Sequence, residues 1–348
     1  MCSNDAMIVT LPSHVKRSKA TMDDVAKEAG VSRALVSLVM REVPVVSEER
    51  RARVLAAAAQ LDYRPNAMAR QLASHQSRTI GVLLHDLRNP FFAEIFEGIE
   101  QAAEERGYRI LLGTGARNAR RESLTVESFL EYRVDATILV STMLSTSAIN
   151  TISKIVPTVR VSQTLRSPSG DSVTIDEKLG ARLVIEHLQR LGHQRITHID
   201  GGSELSAPPR RRGYEDAMKK AGLTPHVIPG DFTEIGGARA AEVLLGSPKR
   251  PTAIFAFNDQ VAIGAMAHLE DAGLSIPRDI SIVGFDNTSV ASLRQINLTT
   301  VNQPREEMGR LSVDAVLDRM TTKRLTAVRH LATPTLVVRG STGIVPGR

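Results

Sequence analysis

From Arg78 onward, short apolar runs alternate with amphipathic stretches that have helical spacing. The apolar runs are TIGVLLHD, YRILLGTG, ATILVS, PTVRVSQ, SVTID, RITHIDGG, TAIFAFND, SIVGFDN, LTTV and TLVV. This alternation predicts parallel β-sheets covered by helices, because parallel strands are joined by crossovers that are usually helical. More than eight strands in about 270 residues form either one barrel or two doubly wound sheets. Two sheets that face each other would hold a ligand at the carboxyl ends of their strands.

The region 21–63 has a helical pattern that is broken by short turns. Thr21 begins a capping-box pattern for a first helix, and Gly30 is placed to end that helix. Ser32 and Ser47 are expected to cap a second and a third helix. A helix, the turn Gly-Val-Ser and a second short helix form the helix-turn-helix arrangement, in which the second helix enters the major groove of DNA. Since a generic pair of helices has a similar pattern, this pattern alone leaves both interpretations open.

The second helix of this region is predicted to have two faces. Its inner face contains Leu35, Val36 and Val39, which recur at helical spacing and are expected in the core. Its outer face, free to contact DNA, would consist of Arg33, Ala34, Ser37, Leu38 and Arg41.

Basic residues are concentrated at the N-terminal end of the chain. Residues 1–78 carry 12 Lys and Arg against 8 Asp and Glu, whereas the other residues carry 32 against 30. The formal net charge of the whole chain is +6. This asymmetry indicates a nucleic-acid-binding arm on a near-neutral body, although a solvated basic face has the same composition.

Membrane and secreted proteins are excluded by what the chain lacks. No apolar run approaches 18 residues, so no membrane-spanning helix is expected. The N-terminus lacks a basic segment followed by an apolar stretch, so it is not a secretory signal, and we expect residues 1–19 to be a disordered extension. The single cysteine, Cys2, permits no intrachain disulfide bond and no zinc finger, which fits a cytoplasmic protein.

No constellation of residues supports catalysis. The run after Gly113 lacks the third glycine of a dinucleotide fingerprint, because Asn118 occupies that position. The histidines His187, His193 and His198 do not have a compact metal-ligand spacing. No serine lies in a G-x-S-x-G elbow, and no cysteine is placed as a nucleophile. We therefore expect neither enzymatic activity nor a cofactor or metal.

Several long motifs occur in a fixed order along the chain. They are TMDDVAKEAGVSRALVSLVM, VSEERRARVLAAAAQLDYRPNAMARQLAS, IGVLLHDLRNPFFAEIFEGIE, HLQRLGHQRITHIDG, AIFAFNDQVAIGAM and SIVGFDN. Together they resemble the lactose-repressor/galactose-repressor (LacI/GalR) family of bacterial transcription factors. The resemblance extends from Thr21 to about Gly340, nearly the whole chain.

The resemblance implies a fold class and a function. The implied fold is α/β, with a three-helix helix-turn-helix domain, a hinge helix and two doubly wound parallel-sheet lobes like those of periplasmic binding proteins. The implied ranges are 1–19 for the extension, 20–64 for the helix-turn-helix domain, 65–77 for the hinge and 78–348 for the effector-binding and dimerisation domain. A member of this family is a cytoplasmic, nucleoid-associated DNA-binding repressor that binds a palindromic operator as a homodimer and responds to a small molecule.

The resemblance also implies which residues contact DNA. These are Thr21, Ser32, Arg33, Ala34, Ser37, Leu38, Arg41, Tyr63, Asn66, Leu72 and Ala73. Among them Arg33 is expected to be the main reader of the major groove, since an arginine bonds guanine through two atoms. Leu72 matches the leucine that wedges into the minor groove from the hinge helix. Leu38 and Arg41 depart from the usual residues of the family, so the operator is expected to differ from the usual consensus.

A second set matches the effector-binding positions of the family. It consists of His85, Phe91, Ser162, Arg210, Phe232, Asn258 and Asp286. An alternative for Asn258 and Asp286 is that they only cap helices. The resemblance implies a sugar or sugar derivative as the effector. Ser162 and Gln163 stand where the family commonly has Asp-Arg, and since this change removes a typical acceptor for sugar hydroxyls, a small carboxylate is a rival. Arg88 would either help to bind an anion or be solvated.

Two other functions share parts of this pattern. A solute-binding protein of a transport system has the same two-lobed fold, but the helix-turn-helix and the missing signal peptide disfavour it. An α/β enzyme acting on sugars or nucleotides is disfavoured by the missing catalytic residues. No heptad repeat follows the last apolar run, so a dimer is expected rather than a tetramer.

Overall fold

The computed structural model describes residues 20–40, 43–63, 76–163, 170–324 and 326–345. The chain forms two compact units, residues 1–77 and 78–348. The expectations for residues 1–19 and for Arg41, Asn66, Leu72 and Ala73 lie outside the described residues. No helix in the described ranges is both long and apolar enough to cross a membrane.

Three helices make up the described part of the N-terminal unit: α1 (Met22–Ala29), α2 (Arg33–Met40) and α3 (Glu48–Gln60). The predicted ends of α1 are confirmed, because Thr21 and Asp24 form a reciprocal capping box and Gly30 adopts the left-handed conformation with φ 63°. Ser32 caps α2 by accepting a hydrogen bond from the Leu35 amide at 3.2 Å. Ser47 occupies the predicted N-cap position of α3, with extended backbone, but its side chain makes no capping bond. The first turn of α3 instead carries two glutamates, whose charge complements the helix dipole.

The core of this unit confirms the inner face predicted for α2. Val36 and Val39 are buried, and Leu35 is partly buried against them. Leu38 was expected on the outer face but is partly buried against the same core. The reason is geometric, because residues three apart lie on one side of a helix and Leu38 follows Leu35 by three.

Twelve strands and eight further α-helices build the described part of the C-terminal unit. The strands are β1 (Thr79–Leu84), β2 (Arg109–Thr114), β3 (Ala136–Val140), β4 (Thr158–Val161), β5 (Asp171–Ile175), β6 (Ile196–Ile199), β7 (His226–Ile228), β8 (Ala253–Ala256), β9 (Ser281–Asp286), β10 (Thr299–Asn302), β11 (Arg329–Ala332) and β12 (Thr335–Val337). The helices are α4 (Pro90–Glu105), α5 (Ala119–Glu131), α6 (Thr146–Ile155), α7 (Glu177–Arg190), α8 (Ala207–Lys220), α9 (Glu234–Leu245), α10 (Asp259–Asp271) and α11 (Arg305–Thr322), with one 3₁₀ turn at Ser289–Ser292.

The strands form two six-stranded sheets, which confirms two lobes rather than one barrel. The first sheet has the order β11-β5-β4-β3-β1-β2 and is entirely parallel. The second has the order β12-β10-β9-β8-β6-β7 and is parallel except for β12, which runs antiparallel to β10. Most central strands are buried along their whole length, as expected for sheets covered by helices on both faces.

The chain passes between the lobes three times. It leaves the first lobe after β5, returns after β10, and crosses again between β11 and β12. Each passage starts at the carboxyl end of a strand, so the carboxyl ends of both sheets face the same cleft. The third passage is too short to contain a helix. β12 therefore enters the second sheet from its carboxyl edge and must run antiparallel to the others.

Two strands were absent from the predicted set. β7 has three residues and β11 has four, and both lie at the edge of a sheet with exposed positions. Short edge strands have no continuous apolar run, because only part of their surface is buried.

Candidate functional site

A cleft between the two lobes gathers all seven side chains of the predicted effector set. It contains about 520 Å³ of space not filled by protein atoms, counting the part open to solvent. The members that line it are His85, Phe91, Ser162, Arg210, Phe232, Asn258 and Asp286. Most of them follow or end a strand of one of the two sheets, which is where ligands bind in open α/β folds.

His85 lies on the first lobe, directly after β1, and is 2% exposed. Its Nδ1 is 3.7 Å from Glu122 Oε1, and its Nε2 is 3.4 Å from Glu204 Oε1. Neither ring nitrogen has a hydrogen-bond partner. Burial by itself lowers the pKa of His85, but the two carboxylates outweigh it and raise the pKa to about 9. His85 is therefore an imidazolium at neutral pH, and each of its two N–H groups faces a carboxylate oxygen without forming a hydrogen bond.

Arg210, on α8, is buried at the floor of the cleft. Its Nε donates to Glu177 Oε2 at 2.8 Å, and its Nη1 donates to the carbonyl of Phe257. The guanidinium carbon lies 3.5 Å from the ring centroid of Phe285 and 4.5 Å from that of Phe257. A guanidinium held by a carboxylate, a carbonyl and two rings presents a fixed charge to the cleft.

Two buried aspartates lie side by side in the second lobe. Burial raises the pKa of Asp286 well above its usual value, Asp259 raises it further, and Arg210 opposes the shift. Burial also raises the pKa of Asp259 to about 6, against hydrogen bonds from Thr300 and Thr288 that lower it. Gln303 donates to Asp286 Oδ1 at 2.6 Å. Asp286 thus holds a proton more readily than an ordinary aspartate and is able to donate as well as accept.

The capping alternative describes Asn258 but not Asp286. Asn258 Oδ1 accepts from the Val261 amide at 2.8 Å and caps α10, while its Nδ2 donates to the Phe232 carbonyl at 3.1 Å. The carboxyl of Asp286 is bonded by Gln303 instead of by a helix end. Asn258 therefore lines the cleft and also caps α10, and its Oδ1 accepts one hydrogen bond from the protein.

Ser162 has an unusual backbone conformation and a buried hydroxyl group without a hydrogen-bond partner. Its φ is 64°, in the left-handed region that non-glycine residues rarely adopt, and its Oγ is buried without a hydrogen-bond partner. The neighbouring Gln163 is buried and donates to the Thr142 carbonyl at 2.7 Å, but its Oε1 has no partner. Where the family commonly has Asp-Arg, this chain therefore carries uncharged oxygens that need a partner.

Arg88 lies at the mouth of the cleft and makes an ion pair. Its Nε and Nη2 donate to the two oxygens of Asp86 at 3.2 and 3.1 Å, while 70% of its side chain is exposed. Burial raises the pKa of Asp86, but the Arg88 bonds and the charge of Arg117 outweigh it and lower the pKa overall. Arg88 is thus a solvated partner of Asp86.

Several polar residues of the cleft are absent from the predicted effector set, among them Glu177, Glu204 and Gln303. Sequence reasoning also missed Glu122, which lies 3.7 Å from His85. Glu177, Glu204 and Gln303 follow strands β5, β6 and β10, so a search for polar residues at strand ends would have selected them. Glu122 lies within α5, where nothing in the local sequence distinguishes it from a solvated glutamate. Only the fold shows that it is fully buried.

The outer surface of α2 in the N-terminal unit is where a DNA contact was expected. Arg33 and Ala34 are exposed, and Arg33 Nη1 lies 3.7 Å from Asp23 Oδ2 in an exposed ion pair. Thr21 and Ser32 are exposed at the starts of α1 and α2, while Ser37 is partly buried. Tyr63 is partly buried against the helical core.

Comparisons with known proteins agree with this architecture. Residues 21–66 match the model of bacterial regulatory proteins of the lacI family, and residues 185–342 match the periplasmic binding protein-like domain. These two parts define the class of the protein as a DNA-binding transcriptional regulator. The chain is 37% identical over 328 residues to the ribose operon repressor of Escherichia coli strain K12, covering 92% of this chain and 99% of that protein. The chain therefore belongs to the LacI family.

Solved structures show the same likeness. The lac repressor dimer bound to operator and the anti-inducer ONPF is 31% identical, with a TM-score of 0.85, and covers 94% of this chain and 100% of that one. A LacI family regulator from Enterococcus faecium with bound ribose is 30% identical, with a TM-score of 0.70, and covers 77% of this chain and 99% of that one.

Proposed function

We propose that this LacI-family protein is a repressor that binds a palindromic operator as a homodimer and is controlled by a neutral, hydroxyl-rich small molecule bound between its lobes. It acts in the bacterial cytoplasm, by binding rather than by catalysis. The observation that carries the proposal is the cleft, where the predicted effector residues converge and where His85 and Ser162 hold buried polar atoms without partners. A ligand that supplies those partners removes the cost of leaving them unsatisfied.

The charges of the cleft favour a neutral ligand over a small carboxylate. Arg210 is already paired with Glu177, and His85 lies between Glu122 and Glu204. A carboxylate ligand would add a negative charge beside these acids, and each of these two cations already faces a carboxylate of the protein. Sugar hydroxyls donate and accept at once, and so suit a lining that mixes carboxylates, an imidazolium and a serine.

Two relatives support a sugar as the ligand. One is named a ribose operon repressor, and the other is a family member solved with bound ribose. The aromatic walls of the cleft, Phe91 and Phe232, provide apolar surface for the C–H face of such a ring. We infer a pentose, a hexose or a derivative of either.

The proposed control works through the hinge. A ligand that changes the angle between the lobes would change whether paired hinge helices form on the operator, and coupling of this kind is typically worth about 1–3 kcal/mol. Arg33 and Ala34 at the start of α2 would read the major groove, with Thr21 and Ser32 on the DNA backbone. The operator of the lac repressor dimer is the precedent for this arrangement.

The test measures ligand binding and the effect of the ligand on operator binding. D-ribose, cellobiose and acetate are screened by thermal shift, and a true effector raises the melting temperature with a concentration dependence that gives its Kd. The same compound is expected to change the operator affinity by about 5–150-fold. Arg210→Met should abolish both effects, while Arg278→Met, which removes an exposed arginine bonded to Ser275, should leave them intact. A preference for acetate over the sugars would contradict the neutral-ligand proposal.

A further inference from the structure

Three side chains connect the two lobes across the cleft. His85 follows β1 and Glu122 lies on α5, so both belong to the first lobe, whereas Glu204 lies between β6 and α8 in the second. The imidazole stands between the two acids, with nitrogen–oxygen separations of 3.7 Å to Glu122 and 3.4 Å to Glu204. Only the second of these ion pairs spans the lobes.

Glu122 is held in place by bonds that leave one oxygen for the histidine. Its Oε2 accepts from Thr142 Oγ1 at 2.6 Å and from the Met143 amide at 2.7 Å. Its Oε1 has no hydrogen-bond partner and faces His85 Nδ1. A fully buried carboxylate fixed in this way favours the charged imidazole and sets its orientation.

Glu204 is held less firmly than Glu122. Its side chain is 18% exposed, and its 3.4 Å approach to His85 Nε2 is an ion pair without hydrogen-bond alignment. The His85 ring also meets Phe232 of the second lobe edge-on, with centroids 5.9 Å apart. The contact between the lobes at this point is therefore electrostatic and incompletely bonded.

We propose that Glu122, His85 and Glu204 form a clasp between the lobes, in which the proton on His85 draws the second lobe toward the first and reserves a place for one ligand hydroxyl. A hydroxyl placed beside this pair, within reach of both His85 Nε2 and Glu204 Oε1, accepts from the imidazolium and donates to the carboxylate. A carboxylate in that place would face Glu204 with like charge, and an ammonium would face His85 in the same way. The place is therefore specific for a group that donates and accepts at once. This rests on the proposed function, since it names the selectivity of the same cleft.

Other charged groups near His85 are already paired. Asp86, the next residue, is bonded to Arg88 and lies 3.4 Å from Arg117. Arg117 in turn lies over the ring of Phe232, with its guanidinium carbon 4.9 Å from the centroid. Glu122 and Glu204 are the acids that determine the charge of His85.

The clasp is tested first without ligand, on the full chain. Histidine labelled with ¹⁵N is titrated by NMR, with the His85 signals assigned from a His85→Gln variant. We expect the wild-type signal to titrate near pH 9. In Glu204→Gln it should titrate lower by about one pH unit or more, because one of the two acids is lost. Glu242→Gln, on the exposed surface of α9, is the matched control and should leave the titration unchanged.

Lobe separation is measured on the same variants. Nitroxides on Glu127→Cys of α5 and Lys219→Cys of α8, in a Cys2→Ser background, report the distance between the lobes by pulsed electron resonance. Glu204→Gln and His85→Gln should both shift the distribution to longer distances, whereas Glu242→Gln should not. A His85 that titrates below pH 7, or a distance distribution unchanged by both clasp variants, would overturn the proposal.

A ligand-binding experiment distinguishes a failure of the clasp from a failure of the proposed function. D-ribose should raise the melting temperature of the wild type more than that of Glu204→Gln. If D-ribose and cellobiose leave the wild type unaffected, the proposed ligand class is contradicted, while the ligand-free pKa and distances still decide the clasp.

Discussion

Two buried histidines of this protein have opposite protonation behaviour, because their neighbours differ. His198 lies on β6, stacks on Phe255 at 4.7 Å between ring centroids and has its Nδ1 2.9 Å from the Phe255 carbonyl. Burial lowers the pKa of His198 to about 3; Arg210 and Arg211 lower it further, and the Phe255 carbonyl and Glu215 only partly oppose the shift. His85 is as deeply buried, but two acids raise its pKa to about 9. At the scale of one residue, the two carboxylates beside His85 outweigh the effect of its burial.

The raised pKa of His85 predicts how the free energy of unfolding depends on pH. Because its folded pKa, about 9, lies above the value of 6.5 for a free histidine, the stabilising effect is complete below pH 6.5 and is lost as the pH rises through 9. His85→Gln should therefore destabilise the protein most at low pH. The free-energy difference from wild type should shrink by roughly 3 kcal/mol between about pH 6 and pH 10.

Urea denaturation at several pH values measures this difference. His268→Gln, on α10 away from the cleft, controls for the removal of a histidine as such. A free-energy difference between wild type and His85→Gln that stays constant over this pH range would contradict the charge assigned to His85.

At the scale of elements, helices α4 and α11 of the first lobe meet at glycines. A Cβ placed on Gly98 of α4 would lie 2.3 Å from the Glu306 carbonyl oxygen of α11, and one on Gly309 would lie 2.3 Å from the Ile95 carbonyl oxygen. These obstacles are backbone atoms, which cannot move aside as a side chain can. The two helices therefore approach as closely as they do because each carries a glycine at the contact.

We expect Gly98→Ala to force these helices apart and to destabilise the C-terminal unit by about 1–3 kcal/mol or more, the usual cost of overpacking. The matched control is Gly246→Ala at the end of α9. There an added Cβ would meet its nearest atom at 3.7 Å, and the backbone φ of −76° suits any residue. Urea midpoints followed by circular dichroism measure both variants, and equal midpoints for the two would contradict the close approach of α4 and α11.

At the scale of the whole molecule, the proposed dimer makes operator recognition symmetric. A twofold dimer presents two copies of α2 to successive major grooves, so each base contact occurs once in each half-site. Arg33 is exposed at the start of α2, and so is its ion pair with Asp23. Because an exposed ion pair contributes little free energy, Arg33 can leave Asp23 to contact DNA.

Arg33→Ala should consequently remove the preference for one base pair, at symmetric positions in both half-sites, at a cost of about 1–3 kcal/mol per contact. Non-specific binding and its dependence on salt should change little. Selection from a random DNA pool measures the preference, with Arg50→Ala on the exposed start of α3 as the control. A selected consensus that is the same for Arg33→Ala and wild type would contradict the reading role of Arg33.

The sequence by itself determined the local features. Capping residues, helical spacing and apolar runs predicted α1, α2 and ten of the strands, because these signals depend on neighbours within a few positions. The family resemblance assigned Arg210 and Asp286 to one site, and Asp286 also ends β9, where ligands bind in parallel sheets.

The tertiary structure alone decided the rest. The place where the chain crosses between the lobes decides that β11 joins the first sheet and β12 the second. The same crossing makes β12 antiparallel to its neighbour. Glu122 comes close to His85 only because α5 packs against the first sheet, and the charge of His85 depends on an acid from each lobe. Side chains from separate lobes meet through long-range packing, which no local pattern encodes, and their electrostatic coupling exists only at the separations that packing creates.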